Sequence, residues 1–264
     1  VDKLLSRLNL QTDSKYFQIA KSVLSFILYQ GGENAESALN EVCCLLSKAD
    51  NRIITNPEVT NKESPPKITR PDKTVALVHF GRSGTGLLHS LIDSHPEVST
   101  MPSIYFSEFF NYSTWDKIVS GGWSKMADHF IATYEVLFDA SIQSLIESKG
   151  GKLVANLGQK DGMANVGDHR DEVLRVDKAL FRLELQRLMD LYDHLDAYVF
   201  FKLIHMAYDK ALKDRNHKNL IFYHIHNPDN YAKLNFFQAA PNANWIMMVR
   251  EPIQACESWV RSSF

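Results

Sequence analysis

Residues 74–92 constrain the fold more than any other stretch of the chain. Thr74-Val75-Ala76-Leu77-Val78-His79-Phe80 is a short apolar run rich in β-branched and aromatic residues, the composition of a strand buried on both faces. It stops at Gly81, and residues 84–92 take up a helical spacing. Residues 220–225 and 244–249 read as two more buried strands, and each precedes a helical stretch opening near a proline, Pro228 and Pro252. Strands alternating with helices predict an α/β fold, a parallel sheet flanked by helices. Helical patterns are also predicted over about 124–149 and 172–213.

Ahead of this core the character differs. Residues 1–50 read as a helical N-terminal extension, broken at Gly31-Gly32. Residues 51–73 are polar and carry Pro57, Pro65, Pro66 and Pro71, which is linker composition. The α/β core is then expected over 74–264. In a chain of 264 residues, 45% hydrophobic and 23% charged, such a core is easily filled.

A formal net charge of −2 argues against a nucleic-acid partner, which selects a basic excess on one face. No run approaches the roughly 18 consecutive apolar residues of a membrane span, and no signal peptide opens the chain. Cys43, Cys44 and Cys256 form no metal spacing, so a cytoplasmic location is the simpler expectation, with any upstream targeting segment left open because residue 1 is Val. Asn111-Tyr112-Ser113 is a glycosylation sequon, which decides nothing by itself.

The loop Gly81-Arg82-Ser83-Gly84-Thr85-Gly86 lies between strand and helix, where backbone amides and the positive end of the helix dipole cradle an anion. Its glycine spacing matches the start of a Walker A loop. The lysine and hydroxyl residue that should follow are Leu87 and Leu88, which opposes a kinase or NTPase of related fold. A fixed cation stands one step earlier, at Arg82. An ordinary glycine turn beside a surface arginine gives the same pattern.

Arg82-Ser83-Gly84-Thr85, followed by Leu87-Leu88 and Asp93-Ser94-His95-Pro96-Glu97-Val98, resembles the 5′-phosphosulfate loop of sulfotransferases. These enzymes use 3′-phosphoadenosine-5′-phosphosulfate (PAPS). The resemblance implies a P-loop-like core in which Arg82, Ser83, Gly84 and Thr85 bind the 5′-phosphosulfate. The family's second hydroxyl residue is Gly86 here, whose backbone amide remains available. Residues 245–252 and 256–258 are similar to the family's 3′-phosphate motif, a strand ending in arginine followed by a helix bearing serine. Arg250 and Ser258 are the matching pair, and the family's spacing of eight residues holds. An arginine at a strand end and a serine two helical turns along can face one phosphate. A salt-bridged surface arginine and a solvated serine are the plain alternative. The resemblance covers about residues 74–264.

Sulfuryl transfer needs a base for the acceptor proton and cations against charge on the leaving phosphate. His226, in His226-Asn227-Pro228 and 24 residues before Arg250, is similar to the catalytic histidine segment of cytosolic sulfotransferases. His224 is its rival on the same strand. Glu108 is the candidate by resemblance to another branch, which uses a glutamate after the first helix. Capping or core duty for His226 and plain solvation for Glu108 remain open at this level. The aromatic cluster of Tyr105, Phe106, Phe109, Phe110, Tyr112 and Trp115 suits an acceptor pocket or an ordinary core equally. Arg82, His226 and Arg250 each follow the carboxyl end of an expected strand, which places them on one edge of a parallel sheet.

The resemblance therefore implies a PAPS-dependent sulfotransferase without a metal requirement, acting on a small molecule, glycan or protein that the sequence does not name. It also implies a core cut short at its C-terminal end, because the family continues past the helix after Arg250. A catalytically inactive binding module is the other reading consistent with that.

Overall fold

The computed structural model describes residue 21 and residues 53–57, 71–79, 83–93, 95–102, 106, 108–148, 151–156, 166–225 and 230–263. The chain divides into two units, residues 1–51 and 52–264. The strands and helices named here belong to the second. The helical pattern read over 1–50 lies outside the described residues, Lys21 excepted.

A four-stranded parallel sheet organises the second unit. In chain order its strands are β2 (Lys73–His79), β3 (Val98–Thr100), β7 (Leu220–Ile225) and β8 (Asn244–Met248). Across the sheet they run β3-β7-β2-β8, so β2 and β7 are central and β8 and β3 are edges. The three strands expected from sequence are all present and mutually parallel. β3 was not expected: three residues are too few to display a period.

The helices cover both faces. α1 (Thr85–Ile92) packs on one, where the His89 ring meets Phe222 and His224 of β7 at centroid distances of 5.9 and 5.7 Å. Neighbouring strand residues point to opposite faces. Tyr223 accordingly meets Phe201 of α5 (Ala197–Ala211) and Phe236 of α6 (Asn230–Ala239) on the other side. Thr74 of β2 adds a 2.9 Å hydrogen bond to the Tyr198 hydroxyl of α5. Beyond α5 lie α2 (Tyr112–Val119), α3 (Met126–Thr133) and α4 (Lys178–Met189), whose Phe130 and Phe181 join one aromatic core with Phe106 and Phe201. Phe106, Phe109, Phe110 and Trp115 are buried in that core. For these four residues packing is the use observed, Tyr112 is half-buried, and Tyr105 lies outside the described residues.

Local chemistry explains the helix starts. Asn111, Asp177 and Asp196 accept hydrogen bonds from the first-turn amides of α2, α4 and α5, satisfying donors that a helix leaves unpaired. Capping by Asp196 also explains why the pattern over 172–213 divides into α4 and α5. The break holds β6 (His194–Leu195), which pairs antiparallel with β1 (Ile54–Thr55) inside the proline-rich stretch 51–73.

Two expectations need correction. The helix read over 124–149 is helical only through α3 and a short turn at Glu135–Leu137. Gln143–Ser148 (β4) instead pairs antiparallel with Gly151–Asn156 (β5). Pairing of Ser148 with Gly151 leaves two residues, Lys149 and Gly150, between the strands in sequence. The second correction concerns β8, expected to be buried. It pairs with β2 alone, and Trp245, Ile246 and Met247 are exposed. Apolar composition reports what a strand can bury, and an edge position leaves that capacity unused among the described residues.

Candidate functional site

The carboxyl ends of β2, β7 and β8 meet at one edge of the sheet. Val78 is level with Ile225, and His79 is level with Met248. From β2 the chain crosses over β7 to reach β3. From β7 it crosses over β2 to reach β8. Two adjacent strands thus send their connections in opposite directions, which opens a crevice beyond their carboxyl ends, the usual ligand position in such sheets.

The start of α1 lies at this edge. Gly84 is its N-cap, with φ 89° and ψ 12°, in the left-handed region that glycine adopts without a steric cost. No side chain caps the helix there, so the first-turn amides are not satisfied by a capping side chain. Beside them the Ser83 hydroxyl is buried and has no hydrogen-bond partner among the described residues. Thr85 is buried as well. Among the described residues a Cβ on Gly86 would meet nothing within 4 Å. An oriented set of donors, an orphaned buried hydroxyl and open space at Gly86 are together fitted to an anion with several oxygens. Where a Walker A lysine would stand, Leu87 is exposed.

Arg250 follows β8 at the same edge and is exposed. α7 (Pro252–Ser263) then begins, capped by Glu251, whose carboxylate accepts from the Gln254 amide at 2.8 Å. Ser258 is half-buried on α7, almost two turns in. The structure therefore puts both halves of the second motif on the elements expected for them.

Arg82 and His226 lie outside the described residues. In sequence they follow β2 and β7. His224, the rival, is buried beneath α1 with His89 against it. Burial lowers the His89 pKa, with Asp93 opposing, so this imidazole pair is a packing feature of the α1 face. Sequence reasoning does not single out His89; its spacing four residues after buried Thr85 is the one available signal.

Glu108 sits half-buried in the turn after Phe106, its carbonyl accepting from the Asn111 amide at 3.0 Å. Burial pushes the phenols of Tyr134 and Tyr223 up, and the nearby Glu108 carboxylate pushes them further. Tyr223 points toward α5, so Glu108 acts on the layer opposite α1. Among the described residues no group of three or more His, Cys, Asp or Glu could hold a metal ion, and no helix is long and apolar enough to cross a membrane. Comparison with family models, with curated proteins and with solved structures returns no match.

Proposed function

We propose that this chain carries a P-loop-like nucleotide site and transfers a sulfuryl group from PAPS to a hydroxyl or amine of an acceptor. The supporting observation is the start of α1: a left-handed Gly84, and among the described residues no side-chain cap and no partner for the buried Ser83 hydroxyl, at the crevice edge of a parallel sheet. That donor set suits the 5′-phosphosulfate, with Arg82 as the fixed cation beside it. Arg250 and Ser258, on the strand and helix that follow the neighbouring carboxyl end, suit the 3′-phosphate. PAPS supplies the activated sulfuryl group. The residues of this chain orient it, neutralise the charge on the departing phosphate and take the acceptor proton, the last through His226 with Glu108 as the other candidate.

Leucine at 87 and 88 removes the lysine and hydroxyl that a kinase or NTPase uses for the triphosphate and Mg²⁺. Calorimetric titration with 3′-phosphoadenosine-5′-phosphate, with and without Mg²⁺, tests the reading. Binding independent of Mg²⁺ and stronger than binding of adenosine monophosphate is expected. ATP binding that requires Mg²⁺ would transfer the site to the kinase class, and no binding of either nucleotide would leave a module without catalytic function.

A further inference from the structure

Thr85, Leu88, His89 and Ile92 form the sheet-facing side of α1, at the i, i+3, i+4, i+7 spacing of one helix face, and each is buried or half-buried. Leu87 and Leu91 stand 68% and 73% exposed on the other side among the described residues. Burial of apolar area would by itself exchange these positions, setting leucine against the sheet and histidine in water. An imidazole on the inner face of a helix that leaves two leucines outside has a role that apolar area does not supply.

The His89 ring has two neighbours on β7. It meets Phe222 edge-on at 5.9 Å between centroids, and His224 at 5.7 Å with 38° between the planes. Phe222 and His224 are alternate residues of the strand and share one face of the sheet. His224 is buried and is the penultimate residue of β7, level with Leu77 of β2. His89 thus lies against the carboxyl end of β7, one helical turn from buried Thr85. It ties the helix whose start forms the candidate anion site to the strand that His226 follows in sequence.

Two imidazoles in contact hold one positive charge more readily than two, because like charges at this separation repel in an interface shielded from water. Among the described residues, the titratable groups facing His89 are His224 from β7 and Asp93 from the C-cap of its own helix. Asp93 also accepts from the Thr100 hydroxyl of β3. We propose that His89 is a positioning residue: its neutral ring seats α1 on Phe222 and His224 and so holds the helix start at the crevice edge, and a proton on that ring lifts the helix from the strand. Burial outweighs Asp93 and lowers the His89 pKa from 6.5. A folded-state value below the unfolded one gives stability that is complete above 6.5 and lost as pH falls toward the lower value. The seat is firm at neutral pH and loosens in mild acid. Its effect on anion affinity rests on the nucleotide site proposed above, whereas the seating of α1 does not.

Hydrogen exchange of the α1 amides at pH 7 and pH 5, corrected for intrinsic exchange, tests the seat in the full chain. The comparison is His89→Phe, which keeps a ring against β7 and removes the titrating group. His224 is common to both proteins, so their ratio isolates His89. The α1 opening constant of wild type relative to His89→Phe should rise several-fold from pH 7 to pH 5. A constant ratio overturns the proposal, and so does an equal change in the α4 amides, which would place the effect in the whole fold. Titration with 3′-phosphoadenosine-5′-phosphate at pH 7 supplies the second arm. His89→Ala should bind about tenfold more weakly, as when α1 holds its competent position a tenth of the time. His89→Phe should restore most of that loss, and Leu91→Ala, on the exposed side, should bind as the wild type does. Undiminished affinity in His89→Ala, or an equal loss in His89→Phe, would overturn the positioning role. A wild type that does not bind this nucleotide would remove the nucleotide reading, and the exchange ratio would still decide the seat.

Discussion

The side-chain methyl of Met248, at the end of β8, stands 3.9 Å from the point where a Cβ on Gly84 would lie. That is ordinary van der Waals contact, so Gly84 is not required for space. Its φ of 89° is the constraint. Gly84→Ala should lower stability by roughly 1–2 kcal/mol, the cost of a left-handed residue with a Cβ. Gly86→Ala should be neutral or stabilising by up to about 1 kcal/mol, because it lies within α1 with nothing near its Cβ. Equal losses for both in chemical denaturation would remove backbone conformation as the reason for Gly84.

Ser83 offers a sharper separation of fold from function. A buried hydroxyl without a partner among the described residues costs the fold its desolvation. Ser83→Ala should therefore raise stability by about 1 kcal/mol while weakening 3′-phosphoadenosine-5′-phosphate binding. A variant that loses stability and binds as before would show that the hydroxyl serves the fold.

The architecture was legible where periodicity ran long. Residues 74–80, 220–225 and 244–249 each hold enough apolar residues in sequence to mark a strand, and parallel order follows from the helices between them. What escaped was short or contextual. β3 owes its existence to pairing with β7, and β1 and β6 to each other, none of which a two- or three-residue window reveals. The exposure of β8 depends on which elements flank it, and composition carries no such information. The glycine loop was readable because left-handed backbone demands a particular residue at a particular place. His89 was not, since a helical histidine facing the sheet resembles any other amphipathic position. Ser99 and His205 are 106 positions apart and meet only through the crossing of β3 with α5.

The second motif predicts a nucleotide preference. Arg250→Ala and Ser258→Ala should each weaken 3′-phosphoadenosine-5′-phosphate more than adenosine monophosphate. Losing a hydrogen bond to a charged group costs about 1.5–3 kcal/mol, so the arginine variant should lose roughly tenfold or more in affinity. Isothermal titration of both nucleotides reads the difference. Equal losses would show that these two side chains do not recognise the 3′-phosphate.

The two candidate bases give distinct kinetic outcomes. His226 comes directly after β7 in sequence and lies outside the described residues, whereas Glu108 acts on Tyr134 and Tyr223 in the layer toward α5. His226→Ala should lower turnover roughly 10²–10⁴-fold with nucleotide affinity nearly intact. Glu108→Gln should have a modest effect on turnover, and removal of its charge should let the Tyr134 phenol ionise more readily. With an imidazole as base, the turnover–pH profile rises through the neutral range as the ring loses its proton. In the Glu108 case the variants exchange phenotypes. Turnover of the full-length protein, measured from pH 5 to 9 for both variants with an acceptor found by screening, distinguishes the two. A His226→Ala enzyme that keeps its rate and its rising limb would transfer the proton to Glu108.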